Sequence, residues 1–493
     1  MSVQTEKAKA NPNPNMWYYI NSVVCVVLMV GFRFLPTFGQ VTPYGMEVLG
    51  IFFGAIYGWC TVGFIWPSFL GMLLLGFSQY GTITDVFAEG FSNSTVLMLL
   101  MTFVFFSFIS NSGLMLVIAN RFIGMKVNIG HPWRLTFFFF FIAAFVGGLT
   151  NNIATALLLW FMFADICKKT GMQKGDRYVS FLICGIMFFA TFSIVMFPFL
   201  PFSLVGINLM SKAVDFSASS SLCWMISGPI VMIILILAYM LIGRFIFKAD
   251  VSKLAAYVEQ DNFSEMRAKK MTKKEKTALF YLLLFVVIIV LPTFLPRTSA
   301  LSGALSNISV IGACSICLIG ICFTKDEKGL PVTKFDTLAQ GISWDVIMLM
   351  VATVPICSAF EAQETGIIAT FMTAVMPILN AMGGFGFMAL VVIVLGITTQ
   401  FTHNFVLLIV FGPLLAPIAV SYGISPMVFC SVFMFMIMTA VATPGASANS
   451  AMIFGNSTWV ESKHALQLGW MFTVVALITY VFIAFPLNML IAG

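Results

Sequence analysis

Apolar residues run along this chain in stretches of about twenty, the length a helix needs to cross the ~30 Å hydrocarbon core of a bilayer. They do not alternate with polar residues, as a transmembrane β-strand would require. The runs fall at residues 16–35, 47–60, 62–77, 91–119, 179–209, 222–247, 277–295, 301–323, 342–379, 425–454 and 465–491. Two further runs, 135–167 and 385–420, are interrupted midway by small and polar residues. The first break reads Gly147-Gly148-Leu149-Thr150-Asn151-Asn152 and the second Thr398-Thr399-Gln400-Phe401-Thr402-His403-Asn404. The pattern predicts an all-α polytopic membrane protein with about eleven crossing helices. The two interrupted runs are expected to be re-entrant hairpins, since irregular backbone at membrane depth needs protein or a wet cavity around it.

Composition agrees. The chain is 60% hydrophobic and 9% charged, against about 25% charged in soluble domains. Its mean hydropathy is +1.01. Soluble, fibrous, disordered and nucleic-acid-binding classes are excluded together. The net charge of +6 does not reopen the last of these, because nine of the 25 Lys and Arg lie between Arg244 and Lys276. Three His, with no HExxH or GxSxG, give an enzyme no support. The ten Cys lie mostly in apolar runs, and the Cys314-x-x-Cys317 pair reads as core packing.

Loop charge orients the chain. The basic loops at 121–134, 168–177, 244–276 and 325–334 are placed in the cytoplasm, as is the polar tail 1–15. The flanks of the second hairpin, 380–386 and 421–426, carry no charge and are placed outside. Hairpin 135–167 then opens inward and hairpin 385–420 outward. The expected organisation is a first half-repeat at 16–247, a basic cytoplasmic linker at 248–276 and an inverted second half-repeat at 277–493. A Pro-broken run follows each hairpin: Met196-Phe197-Pro198-Phe199-Leu200-Pro201, then Ala442-Thr443-Pro444-Gly445. Hairpin tips and broken helices meeting near the midplane are how secondary transporters build a binding site.

The substrate-site candidates are therefore Asn151, Asn152 and Thr155 of the first tip, Thr402, His403 and Asn404 of the second, and Thr443 and Pro444. Ser447, Asn449 and Ser450 add oxygens nearby, as do Thr150, Thr398, Thr399 and Gln400 in the tips. Half-helix N-termini suit a carboxylate. Helix C-terminal ends and unwound carbonyls suit Na⁺, a hard cation that prefers oxygen. Neither tip contains Asp, Glu, Lys or Arg, which argues against a proton antiporter's titrating carboxylate. The expected function is secondary active transport of an organic anion, a carboxylate, by Na⁺-coupled symport, with no cofactor beyond the coupling ions. A cation/proton antiporter of similar architecture and an exchanger without net Na⁺ coupling are the alternatives. A channel would leave the opposed hairpins unexplained.

These motifs bear a resemblance. The stretches Gly90-Phe91-Ser92-Asn93-Ser94-Thr95, Asn151-Asn152-Ile153-Ala154-Thr155-Ala156, His403-Asn404-Phe405 and Thr443-Pro444-Gly445 are similar to those of the divalent-anion/sodium symporters of the INDY type. The resemblance implies a plasma-membrane homodimer with a fixed scaffold and a hairpin domain that moves as an elevator. It also implies Na⁺-coupled uptake of di- or tricarboxylates or sulfate, with exchange in some members. Asn152 and Asn404 match the family's central Asn, which implies a place for both beside Na⁺, with nearby backbone carbonyls, and beside the carboxylate. Asn151, Ile153, His403 and Phe405 stand where that family carries hydroxyls, and Gly445 stands for its second Pro. The altered tips imply an anion with fewer carboxylates, or a larger apolar part, than succinate. His403 is read as a substrate contact or a titrating group. Asp165 is expected to pair with Lys168 or Lys169, and Glu361 and Glu364 to mark a bend or wet cavity.

Overall fold

The computed structural model describes residues 14–211, 213–216, 221–260, 262–263, 270–294, 300–327, 329–371, 373, 382–402 and 404–492. In chain order the first half contains α1 (Pro14–Gly31), α2 (Pro43–Thr61), α3 (Ile65–Gly76), α4 (Ile83–Ser92), α5 (Ser94–Asn111), α6 (Leu114–Ile123), α7 (Pro132–Gly148), α8 (Asn152–Thr170), α9 (Arg177–Ser193), α10 (Pro201–Ser211) and α11 (Ser221–Leu241). The remainder contains α12 (Ser252–Glu259), α13 (Lys273–Phe294), α14 (Ala300–Phe323), α15 (Phe335–Ala339), α16 (Trp344–Glu361), α17 (Gly384–Thr398), α18 (Asn404–Ser421), α19 (Pro426–Ile437), α20 (Ala448–Gly455), α21 (Ser462–Thr479) and α22 (Phe485–Ala492). Among the described residues the only β pairing is an isolated bridge between Lys325 and Pro331.

Among the described residues, six segments are long and apolar enough to cross a membrane: Met16–Phe34, Ser94–Asn111, Ser221–Ile246, Lys273–Pro292, Trp344–Glu361 and Ser462–Ala492. Others are too short. The entering limbs α7 and α17 have 17 and 15 residues, or about 25 and 22 Å at ~1.5 Å per residue, against a ~30 Å core. The broken runs give still shorter helices: α10 has 11 residues and α20 has 8.

The chain forms two compact units that cut across the expected halves. One comprises Met1–Val96 and Ser343–Ala381, the other Leu97–Ile342 and Met382–Gly493. In the first unit α2 packs on α1, α3 and α16. Thr42 caps α2 by accepting from Gly45 N at 3.0 Å, and Pro43 sits where its missing N–H is harmless. Glu361 ends α16, and a short turn, Gln363–Thr365, closes at Gly366 with φ +69°. Thr42 Oγ1 donates to the Glu364 carbonyl at 2.8 Å. The bend expected at Glu361 and Glu364 is present. Glu89 accepts from Tyr80 Oη at 2.6 Å and from Ser358 Oγ at 2.9 Å.

At the centre of the second unit lie α9 and α19. Every residue from Tyr178 to Ser193, and from Met427 to Ile437, is buried. Helices apolar all round suit a protein core or a lipid surround, and here both are enclosed by other helices. The hairpin limbs α7 and α8 pack on α9, and α17 and α18 on α19. Cys314 and Cys317 are buried in a separate cluster with Phe105, Phe285 and Ile321.

Two expectations are corrected. The run 91–119 is not one helix, because Gly113 at φ +88° ends α5 and starts α6. Ser112 closes that break, donating to Ile109 O at 2.6 Å and accepting from Leu114 N at 3.1 Å. Part of the linker 248–276 is a packed element, since α12 buries Leu254 and Val258, one turn apart, against α7 and α8. Asp165 pairs with Lys169 at 2.9 Å, one of its two expected partners.

Candidate transport site

The first tip is shaped by what it lacks. A Cβ on Gly148 would overlap the Ser193 carbonyl, and one on Gly147 would sit 3.1 Å from Ser193 Oγ. The two glycines let the tip lie against the end of α9. Beyond them the turn is held by its own side chains. Thr150 Oγ1 donates to Val146 O at 2.7 Å, and Thr155 Oγ1 to Asn151 O at 2.8 Å. Asn151 caps α8, its Oδ1 accepting from Ala154 N at 2.9 Å. Asn152 is the half-buried first residue of α8, whereas Thr155 is fully buried.

The second tip reaches outward to its neighbour. Thr399 Oγ1 donates to Ile437 O at 3.3 Å, and the Gln400 amide bonds to backbone at Thr439, Val441 and Ala442. Thr443 Oγ1 donates to the Gln400 carbonyl. Thr402 is half-buried, with its N–H on Thr398 O at 3.1 Å. Asn404 opens α18, buried; its Nδ2 approaches Met438 Sδ at 3.4 Å, and its Oδ1 accepts from Phe405 N at 3.0 Å. His403 lies outside the described residues.

Between α19 and α20 the chain is unwound over 438–447. Ser447 caps α20, accepting from Ser450 N at 3.1 Å while donating to Ala440 O at 2.7 Å. Ser450 Oγ lies 2.6 Å from Thr443 O and 3.1 Å from Val441 O. Pro444 is exposed. Asn449 Nδ2 donates to Thr191 Oγ1 on α9 at 3.0 Å, joining the two half-repeats. The break between α9 and α10 is propped by α11, where Trp224 Nε1 donates to Val195 O at 2.9 Å and Gly228 admits the Met196 carbonyl.

The structure thus joins Thr443 and Asn404 to the second break, keeps the Asn151 side-chain bond inside the first tip, and points the Thr155 hydroxyl both to Asn151 O and towards Met115 Sδ on α6 at 3.7 Å. Thr191, Ser193 and Thr439 were not singled out from sequence. Their only signal is a hydroxyl beside a Pro-broken run. Four helices end at the breaks (α7, α9, α17, α19) and four begin there (α8, α10, α18, α20). Each beginning carries roughly half a positive charge on its free N–H groups. Segments 135–164, 178–211 and 365–460 contain no Asp, Glu, Lys or Arg. Dipoles, amides and hydroxyls are what such a site offers an ion.

The sequence profile of the citrate transporter family matches residues 48–434, most of the chain and both hairpins. The chain belongs to the citrate transporter family. It is a multi-pass membrane transport protein for a small anion, and not an enzyme. The resemblance to divalent-anion/sodium symporters holds at the level of the wider ion-transporter superfamily, with the citrate transporters as the matched family. The fold is similar to that of the YdaH transporter of Alcanivorax borkumensis, a crystal structure described as having an unusual topology. The TM-score is 0.56 at 12% identity, covering 83% of this chain and 87% of that one. No curated protein matches the chain.

Proposed function

We propose that this citrate transporter family member is a secondary active transporter that carries a carboxylate anion by Na⁺-coupled symport. The observation carrying the proposal is the pair of helix–break–helix hairpins, each beside a broken helix, in segments free of ionised side chains. Limbs too short to span support re-entrance from opposite sides, with the amino terminus in the cytoplasm of a cell at whose plasma membrane the protein resides. Asn151, Asn152 and Thr155 line the inner half of the site. Thr402, His403, Asn404, Thr443 and Pro444 line the outer half. Substrate carboxylates take free N–H groups and Asn amides; Na⁺ takes the oxygens of Asn152, Asn404 and nearby carbonyls. The second unit moves as an elevator in a homodimer. The altered tip residues support an anion with fewer carboxylates, or a larger apolar part, than succinate.

The test is uptake of radiolabelled citrate into proteoliposomes under an imposed Na⁺ gradient, an equal K⁺ gradient or a proton gradient. Uptake driven by Na⁺ alone is expected, and uptake indifferent to Na⁺ removes the coupling. Competition by succinate, sulfate and arylalkyl monocarboxylates then ranks substrates. Succinate as the strongest competitor would overturn the altered specificity.

A further inference from the structure

Gln400 is completely buried. A primary amide has two N–H donors and two acceptor lone pairs, and here all four are used. Nε2 donates to Gly396 O and Thr439 O, each at 3.0 Å. Oε1 accepts from Val441 N at 3.1 Å and Ala442 N at 2.9 Å. The backbone carbonyl of the same residue takes the Thr443 hydroxyl. Helix α19 has ended at Ile437, and the Thr439 carbonyl and the Val441 and Ala442 N–H groups lie beyond its ladder. One side chain from the hairpin serves all three, while Ser447 and Ser450 take the Ala440 and Val441 carbonyls. Left unmade in this buried place, each bond would expose a costly orphan.

The first tip is built otherwise. The hydrogen bonds of Thr150 and Asn151 close within its own hairpin, and its seat on α9 is the steric contact of Gly147 and Gly148. We propose that Gln400 is the positioning residue of the outer half of the transport site. By tying the second tip to 439–443, it fixes the backbone that carries Thr443, Pro444 and the start of α20 relative to Asn404. The second tip and the second break therefore move as one piece. This rests on reading the breaks as the transport site.

The experiment uses the full chain with Gln400→Met, which keeps the length and loses all four side-chain bonds, and Gln400→Glu. A protonated Glu retains an acceptor and one donor, whereas a carboxylate sets negative charge against the carbonyls of Gly396 and Thr439. Hydrogen exchange without substrate should be at least tenfold faster at Val441 and Ala442 in Gln400→Met, with α9 and α19 still protected. With citrate as probe, Gln400→Met should raise KM about tenfold or more at every pH. For Gln400→Glu, the KM relative to wild type at the same pH should fall towards one between about pH 8 and about pH 5. That ratio cancels titration of citrate and of His403. Unchanged exchange at Val441 and Ala442, or a flat Gln400→Glu ratio, overturns the proposal. If Gln400→Met does not fold, Gln400→Glu purified near pH 5 and shifted to near pH 8 carries the same exchange comparison. Absence of citrate uptake by wild type counts against the transported anion, while the exchange result still decides the role of Gln400.

Discussion

Asn152 and Asn404 each begin the returning limb of a hairpin, where an amide oxygen can serve a cation while the helix start serves an anion. Replacing either by Ala removes one oxygen donor. The half-saturating Na⁺ concentration for citrate uptake should rise about tenfold or more, from a lost charged contact of ~1.5–3 kcal/mol. Unaltered Na⁺ curves in both variants would remove these residues from the cation site. The Asn pair was legible because each stands in a polar break within an apolar run. Gln400 stood in the same break, but its bond partners lie some forty positions away and leave no local trace. A second residue-scale effect lies in the loop after α8. Partial burial pushes the Asp176 carboxyl up, but the Gln173 N–H at 3.0 Å and the Lys253 ammonium at 2.9 Å outweigh it and hold it below the usual carboxylate range. A lowered folded pKa contributes stability above the unfolded value near ~3.9 and loses it as pH falls through the folded one. Asp176→Asn should therefore melt slightly below wild type at neutral pH. The two melting curves should converge as acid protonates Asp176.

Among elements, the breaks carry the design and the glycines fix their contacts. Gly148→Ala would drive a methyl into the Ser193 carbonyl, a strain of about 1–3 kcal/mol that lifts the tip off α9. A lowered Tm in detergent and slowed citrate uptake are expected together. Wild-type values in both would show that the tip yields without consequence. Hairpin boundaries were readable within a few residues, since a run expected at 135–167 is seen as Pro132–Gly148 and Asn152–Thr170. Polar residues in an apolar run signal a break when they cluster. Ser110, Asn111, Ser112 and Gly113 form such a cluster, but with no Pro and no longer polar run it stayed hidden within 91–119 until φ revealed the break. Helix α12 was hidden for a different reason. Leu254 and Val258 form too small an apolar stripe to stand out from the basic residues around them.

For the whole molecule, orientation is the property most directly testable. After replacing the exposed Cys60 and Cys322 with Ser, Lys270→Cys should react with an impermeant maleimide only from the cytoplasm. Ser421→Cys should react only from outside, because it flanks the second hairpin. Labelling of both from one side would break the inverted arrangement. The chain's membrane class was plain from its runs, yet its division into units was not. Contact between 1–96 and 343–381 joins segments from both halves, and no local pattern encodes such a distant pairing.

The charge-free segments have an electrical meaning as well. A membrane potential does work only on charge that it moves, about 2.3 kcal/mol per elementary charge per 100 mV. The tips and the broken helices carry no ionised Asp, Glu, Lys or Arg to be dragged through that field, and His403 is the only titratable side chain in either tip sequence. A voltage step applied to the protein without substrate or Na⁺ should therefore evoke little transient charge movement. Repeating the step above and below the ordinary histidine pKa near ~6.5 reads how much charge His403 adds.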